Sequence, residues 1–293
     1  MFAQQLANGL VLGSTYALFA LGFTLMFGVL KVLNLTYGFY FTAGALVALA
    51  ACRDLGASLW LALPLGMLAA GLLAVVIDTA LLTPLRRARA PELSSLMVTL
   101  GAVLLLYSLL SMGLGTEIRR FPFDALPAGA VTFGAVRLGA AQLLIMATTA
   151  LLVAGLWLLL GRTRLGLALR AVAENEDAAR LMAIDVPKTL MLASLISGLL
   201  AGAAGVLIGL SQNAIQPYMG ETMMLRGFAV IIIGGLGDVR GAVASGLLLG
   251  VAEVMAAGYI DSMVKDGVAF TLMVLVLWLK PAGLLGRARV SRA

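Results

Sequence analysis

Apolar residues run through this chain in nine blocks, each separated from the next by a short polar or basic stretch. The blocks are Leu6–Leu30, Tyr37–Cys52, Leu59–Thr83, Ser94–Leu114, Leu138–Leu160, Thr189–Leu210, Thr222–Gly235, Ala242–Tyr259 and Gly267–Leu279. A helix needs ~20 apolar residues to cross a bilayer. The second, seventh and ninth blocks are short for a full crossing, which predicts that they tilt, break within the membrane or are extended by neighbouring residues. The pattern predicts an all-α polytopic transmembrane bundle of about eight to nine spans, in a single domain over residues 1–293. The first block is preceded by no basic residue, the first being Lys31. It is also too long for the apolar region of a cleaved leader, so it is expected to stay as a span.

Composition sharpens this picture. Of 293 residues 62% are hydrophobic and 12% charged, with a mean hydropathy of +1.06; a soluble domain carries roughly 25% charged residues. So much apolar surface implies membrane lipid as the solvent. The net charge of +6 does not imply nucleic acid, because the Lys and Arg residues lie between apolar blocks, as topology signals do. One cysteine, Cys52, excludes an internal disulfide, and the absence of His excludes the usual zinc motifs and His-based triads.

The basic residues also orient the chain. With Arg86, Arg87 and Arg89 on the cytoplasmic side, alternation puts Lys31, the Arg162–Lys188 loop, Arg240 and the C-terminal tail there too. That is fourteen basic residues inside, against six outside: Arg53, Arg119, Arg120, Arg137, Arg226 and Lys265. The positive-inside rule then selects an outer N-terminus and a cytoplasmic C-terminus. Leu30–Gly44 and Leu236–Gly250 each follow one span and open another, as parallel repeats would.

Small residues recur at helical spacing in Gly198, Gly202 and Gly205 and in Gly241, Ser245 and Gly250. Such faces let backbones approach closely; ordinary packing and a sliding or pathway-lining role both fit them. No catalytic constellation and no GxxxxGK[ST] loop is present, so the chain is not expected to hydrolyse nucleotide. GGLGD at Gly234–Asp238 lacks the spacing of a dinucleotide loop. Two acids fall within apolar blocks. Asp78, near the end of its span, is expected to snorkel toward the inner interface; Glu253 lies nearer mid-span without an evident basic partner. A proton-carrying role and a hydrogen bond across helices are both open for Glu253.

The loop over residues 161–188 carries five basic and four acidic residues, so it is expected to be solvated. Leu165, Leu169 and Val172 mark one helical face, continuing through Leu181 and Ile184. Arg170 with Glu174 and Glu176 with Arg180 are i,i+4 pairs, and Pro187 is expected to end the pattern. A helix pair of this kind suits docking of a soluble partner, and equally a helix lying on lipid headgroups.

Four blocks carry a resemblance: Asn8–Gly38, Leu165–Val186, Gly234–Glu253 and Lys280–Arg287. Together they resemble the permeases of branched-chain amino acid ABC importers, more narrowly the first of the two paralogous permeases. The resemblance implies a second permease subunit, two cytoplasmic ATPase subunits that bind the ATP, an extracytoplasmic substrate-binding protein, no cofactor of the chain's own and a place in a bacterial cytoplasmic membrane. It implies that the charged loop is the coupling helix, with Gly166, Arg170, Ala171, Glu174, Asn175, Ala178, Ala179 and Leu181 matching its pattern. The chain departs from that pattern with Ala183 where Gly is usual and Asp185 where Asn is common. It also has Thr36-Tyr37 where a small or His-containing pair is usual. Substrate-pathway candidates are Asn34, Gln212, Asn213, Tyr218 and Glu253, though the first four also read as satisfied polar groups at span ends. A urea or short-chain amide permease shares most of these blocks; a proton-coupled carrier would rest on Glu253.

Overall fold

Each of the nine apolar blocks lies within a helix, overrunning its ends by at most two residues, except that the third runs on from one helix through a π-helical turn into the next. The computed structural model describes residues 1–88, 90–122, 129–134, 136–261 and 265–286; Arg89 and the tail residues Arg287, Arg289 and Arg292, counted above as inner charges, lie outside the described residues. The helices are α1 (Phe2–Leu30), α2 (Tyr37–Asp54), α3 (Leu59–Ile77), α4 (Thr83–Arg87), α5 (Glu92–Leu114), α6 (Ala140–Arg162), α7 (Arg164–Glu174), α8 (Glu176–Leu181), α9 (Val186–Gln212), α10 (Met219–Gly234), α11 (Val239–Tyr259) and α12 (Lys265–Leu279). A two-stranded antiparallel hairpin, β1 (Ala130–Phe133) and β2 (Val136–Gly139), precedes α6; the hydropathy pattern did not predict it.

Among the described residues six helices are long and apolar enough to cross a membrane: α1, α3 continued through α4, α5, α6, α9 and α11. The count of eight to nine is therefore not reached by length alone. The three short blocks form α2, α10 and α12, of 18, 16 and 15 residues. α3 and α4 are joined by a π-helical turn at Asp78–Leu82. Pro84 follows directly; its ring clashes with the carbonyl four residues back and it donates no amide, which widens the turn before it.

α1 and α9 form the buried centre, while α3, α5 and α6 expose apolar side chains such as Leu72, Leu104 and Leu151 outward. Glycines set the approach of the central helices. A Cβ on Gly250 would lie 2.2 Å from the Gly13 amide nitrogen in α1, one on Gly202 2.8 Å from the Gly66 carbonyl in α3, and one on Gly205 2.0 Å from the Phe41 carbonyl in α2. The small-residue faces read from the sequence are thus the faces on which α9 and α11 pack.

The connections gather on two opposite faces. On one, Lys31 Nζ donates to the Glu174 carbonyl, and the Leu284 amide bonds the Ile233 carbonyl. On the other, Gln4 bonds the backbone of Arg137, and Arg119 pairs with Ile215. α2 and α10 depart from simple crossing. Each is roughly 25 Å long at 1.5 Å per residue, and their N-termini meet: a Cβ on Gly220 would lie 1.9 Å from the Gly38 carbonyl. The Tyr37 hydroxyl donates to the Phe19 carbonyl, near the middle of α1, at 3.0 Å. Residues 31–36 therefore return into the bundle from one face and 213–218 from the other. The two stretches compared above diverge here, since the Gly235–Asp238 turn stays at the face, with Leu236 exposed.

Gly205→Ala is expected to lower stability by about 1–3 kcal/mol through overpacking against Phe41. Gly101, with open space around it in α5, should tolerate Ala or gain slightly. Thermal unfolding followed by a thiol-reactive dye at the buried Cys52 measures both.

Candidate functional site

Short polar residues start each helix of the charged loop. Thr163 accepts from the Gly166 amide, Asn175 from the Asp177 and Ala178 amides, and Asp185 from the Lys188 amide, satisfying donors that a helix N-terminus leaves open. Asn175 is thereby the cap that ends α7 and begins α8. Lys188 lies 2.8 Å from Asp185 and its hydrogen bond holds that carboxyl below its usual range. Pro187 stands in the first turn of α9, where its missing amide costs nothing, so it starts a helix in addition to ending the loop pattern.

α7 folds back on the bundle because Gly166 allows it. A Cβ there would lie 2.2 Å from the Leu159 carbonyl of α6. Leu169 and Val172 are buried with Gly166, and Ala179 is buried from α8. The expected apolar face omits Leu181, which is 89% exposed beside an exposed Met182, but includes Ile184, partly buried against the core. Arg170, Glu174, Asn175 and Ala178 are exposed and Ala171 is partly covered. Arg170 bonds the Gly166 carbonyl at 3.4 Å in place of the expected pair with Glu174; Arg180 does lie 3.9 Å from Glu176. The loop thus presents an outer face of charges flanked by Leu167, Leu181 and Met182, above an inner face anchored to α1, α6 and α9. It borders a cavity of about 1230 Å³ between α1, α7, α10 and α12.

Inside the bundle both acids have basic partners, contrary to the sequence reading. Glu253 Oε2 accepts from the Tyr16 hydroxyl at 2.7 Å, Tyr16 accepts from Arg226 at 2.8 Å, and Arg226 Nε lies 3.8 Å from Glu253 Oε1. Tyr16 is the midpoint of the 29-residue α1, so the cluster sits near mid-depth. Arg226 is accordingly not an outer topology charge. Its position inside the seventh apolar block was the signal for this, passed over in counting it with the loops. Asp78 does not snorkel: it is buried, and Arg86 turns back onto it in an ion pair.

The pathway candidates do not converge. Asn34 is fully buried, its Oδ1 accepting from the Thr36 amide and hydroxyl and its amide reaching Tyr40. Asn213 takes a left-handed φ of 45° as the C-cap of α9 and accepts from the Phe121 amide; Asn tolerates that region better than most residues. Gln212 is exposed beside it. Tyr218 is half-exposed, with its ring 5.4 Å from Tyr107. Asn34 and Asn213 are held by hydrogen bonds within the fold, and Glu253 lies in a separate cluster.

Two outcomes follow. Glu253→Gln keeps an acceptor for Tyr16 but removes the charge facing Arg226, and is expected to cost about 3 kcal/mol; adding Arg226→Gln should recover part of it in thermal unfolding. Ala183 holds a left-handed φ of 59°, which costs an L-residue about 1 kcal/mol. Ala183→Gly should therefore raise the unfolding temperature without altering transport.

Comparison with known proteins places these features in a family. The model of the branched-chain amino acid transport system / permease component family matches residues 5–277. The chain is 34% identical to the high-affinity branched-chain amino acid transport system permease protein BraD of Pseudomonas aeruginosa, over 99% of this chain and 98% of that one. It is 31% identical to the permease protein LivH of Escherichia coli, over 99% and 97%. It is 29% identical to a probable LivH of Methanocaldococcus jannaschii, over 96% and 91%. No solved structure matches it. With the family model and full-length relatives in agreement, the chain belongs to the branched-chain amino acid transport permease family and is a multi-pass membrane permease component.

Proposed function

We propose that this chain carries branched-chain, hydrophobic amino acids across a bacterial cytoplasmic membrane as one permease of an ABC importer. In this reading a paralogous second permease completes the membrane pair, one of two ATPase subunits binds the α7–α8 loop, and an extracytoplasmic binding protein delivers substrate to the opposite face. The face bearing Lys31, the loop and residues 280–286 is then cytoplasmic, with the C-terminus on that side. The chain itself binds no cofactor; ATP stays on the partner subunits.

The observation that carries the coupling role is the two-faced α7. Its inner residues Gly166, Leu169 and Val172 are locked into the bundle, while the side chains of Arg170 and Glu174 are exposed. A push on the outer face therefore moves a rigid element packed on α1 and α9, the buried centre. A loop floating on headgroups would have no such anchor. The carrier reading rested on a Glu253 without a basic partner, whereas Glu253 accepts from Tyr16 and lies 3.8 Å from Arg226, as a tie across helices would.

Glu174→Lys is expected to leave the fold intact, since an exposed side chain that makes no cap hydrogen bond changes stability within about 0.5 kcal/mol. Charge reversal at a docking face weakens association much more. The expected outcome is normal membrane abundance, poor co-purification of the ATPase subunits and little leucine uptake. Normal transport with the ATPase retained would exclude Glu174 from the coupling contact.

A further inference from the structure

α10 turns a polar face to the outside of the bundle at a depth that lipid would otherwise cover. Tyr218, Glu221, Thr222 and Leu225 are exposed, at the i, i+3, i+4 and i+7 positions that share one side of a helix. Arg226, next along the chain, bonds Tyr16 at the middle of α1. Glu221 lies five residues nearer the face opposite the charged loop, roughly 7 Å from that level at 1.5 Å per residue. It therefore stands about 8 Å inside the edge of a ~30 Å hydrocarbon core. It lacks the long stem by which Lys or Arg reaches the headgroups. Among the described residues its carboxylate has no hydrogen-bond or ion-pair partner. An ionised carboxylate turned to acyl chains is strongly disfavoured, so this face is one that protein covers or water reaches.

α5 extends the same surface. The Tyr218 hydroxyl donates to Ser111 Oγ of α5 at 3.3 Å, and Leu104, Ser108 and Ser111 share one side of that helix, with Gly101 two turns before Ser108. α5 turns Ser95, Thr99, Val103 and Tyr107 into the bundle, Tyr107 beside Gly38 of α2, and leaves Gly101, Leu104 and Ser108 exposed. A Cβ on Gly101 would meet nothing within 4 Å. An open glycine and a hydroxyl among leucines suit helix association in lipid, which depends on close backbones and shared polar groups. They favour a protein cover over an aqueous lining. The outward side of α3, by contrast, shows Leu65, Leu68, Leu72 and Val76, which lipid alone can cover.

We infer that the joined outer face of α5 and α10 is the surface on which a second permease subunit packs; the inference rests on the importer reading above. The face lies within the membrane, so its partner must span the membrane as well. In the importer reading the ATPases and the binding protein are soluble, which leaves the second permease. The chemistry of that partner follows from this face. It brings a helix close to Gly101 and Ser108, and a Lys or Arg opposite Glu221. The pair so formed gives Glu221 across the interface what Arg226 gives Glu253 and Arg86 gives Asp78 within the chain.

The test uses the complete importer in its membrane, with an affinity tag on this chain. Leu104 or Leu225, replaced by photoreactive p-benzoylphenylalanine, should yield on illumination a product with the combined mass of this chain and the second permease. The same replacement at Leu72 should not. Gly101→Trp fills open space, so membrane abundance should stay normal while the second permease recovered with the chain falls about tenfold through overpacking at the interface. Glu221→Leu would suit a lipid-facing surface; here it leaves the partner's base unpaired, and recovery should again fall about tenfold. The interface is overturned by the absence of a permease product from both positions, by a product joining two copies of this chain, or by undiminished recovery in both substitutions. A wild-type chain that brings down no second permease would instead overturn the importer reading from which the interface follows.

Discussion

In lipid no hydrophobic effect presses one helix against another, so association depends on how closely backbones can approach and which polar groups they can share. That constraint organises this chain. Gly13 against Gly250, Gly66 against Gly202 and Phe41 against Gly205 bring α1, α3, α2, α9 and α11 to distances at which a single Cβ would collide with main-chain atoms. At that range side-chain hydroxyls reach neighbouring carbonyls: Ser197 bonds Gly22, and Ser245 bonds Val230. The contacts are stiff because no flexible side chain lies between the backbones. In the helices that skirt this centre, Gly101 of α5 and Gly155 of α6 meet nothing within 4 Å.

The same closeness governs the charges. Glu253 and Asp78 are tolerated in the interior because Arg226 and Arg86 reach them from another segment or a later turn. Without such partners, burying a carboxylate would cost several kcal/mol. Tyr16 shares its hydroxyl between Arg226 and Glu253 and so ties α1, α10 and α11 at one level. A stiff, tied centre is also what a coupling element needs. α7 is seated on it through Leu169 and Val172, so in the proposed coupling role movement of the loop would be carried into α1 and α9 and not absorbed by a soft linker. The departures from the family pattern fall where the loop bends: Ala183 bears the strain that a glycine would relieve, while Asp185 caps α9 as an Asn would.

Much of this architecture was legible along the chain. Block lengths and hydropathy determined the all-α membrane class, the helices that hold the nine apolar blocks and the three that would not span alone, because those properties depend on near neighbours and on the solvent. Periodicity and charge determined the solvated loop and its Leu169–Val172 face, and small residues at helical spacing determined the packing faces. Family membership followed from motifs that are local in the sequence. What only the tertiary structure decided was which distant groups meet. Arg226 with Glu253 and Tyr16, Arg86 folded onto Asp78, Arg170 on the Gly166 carbonyl, and Tyr107 beside Gly38 are set by helix rotation, depth and breakage. Rotation and depth come from backbone contacts across the bundle, between residues up to more than two hundred positions apart. No periodicity within one helix encodes them, and so the sequence does not show that Asn34 is occupied by its own turn and Asn213 by the distant Phe121 amide.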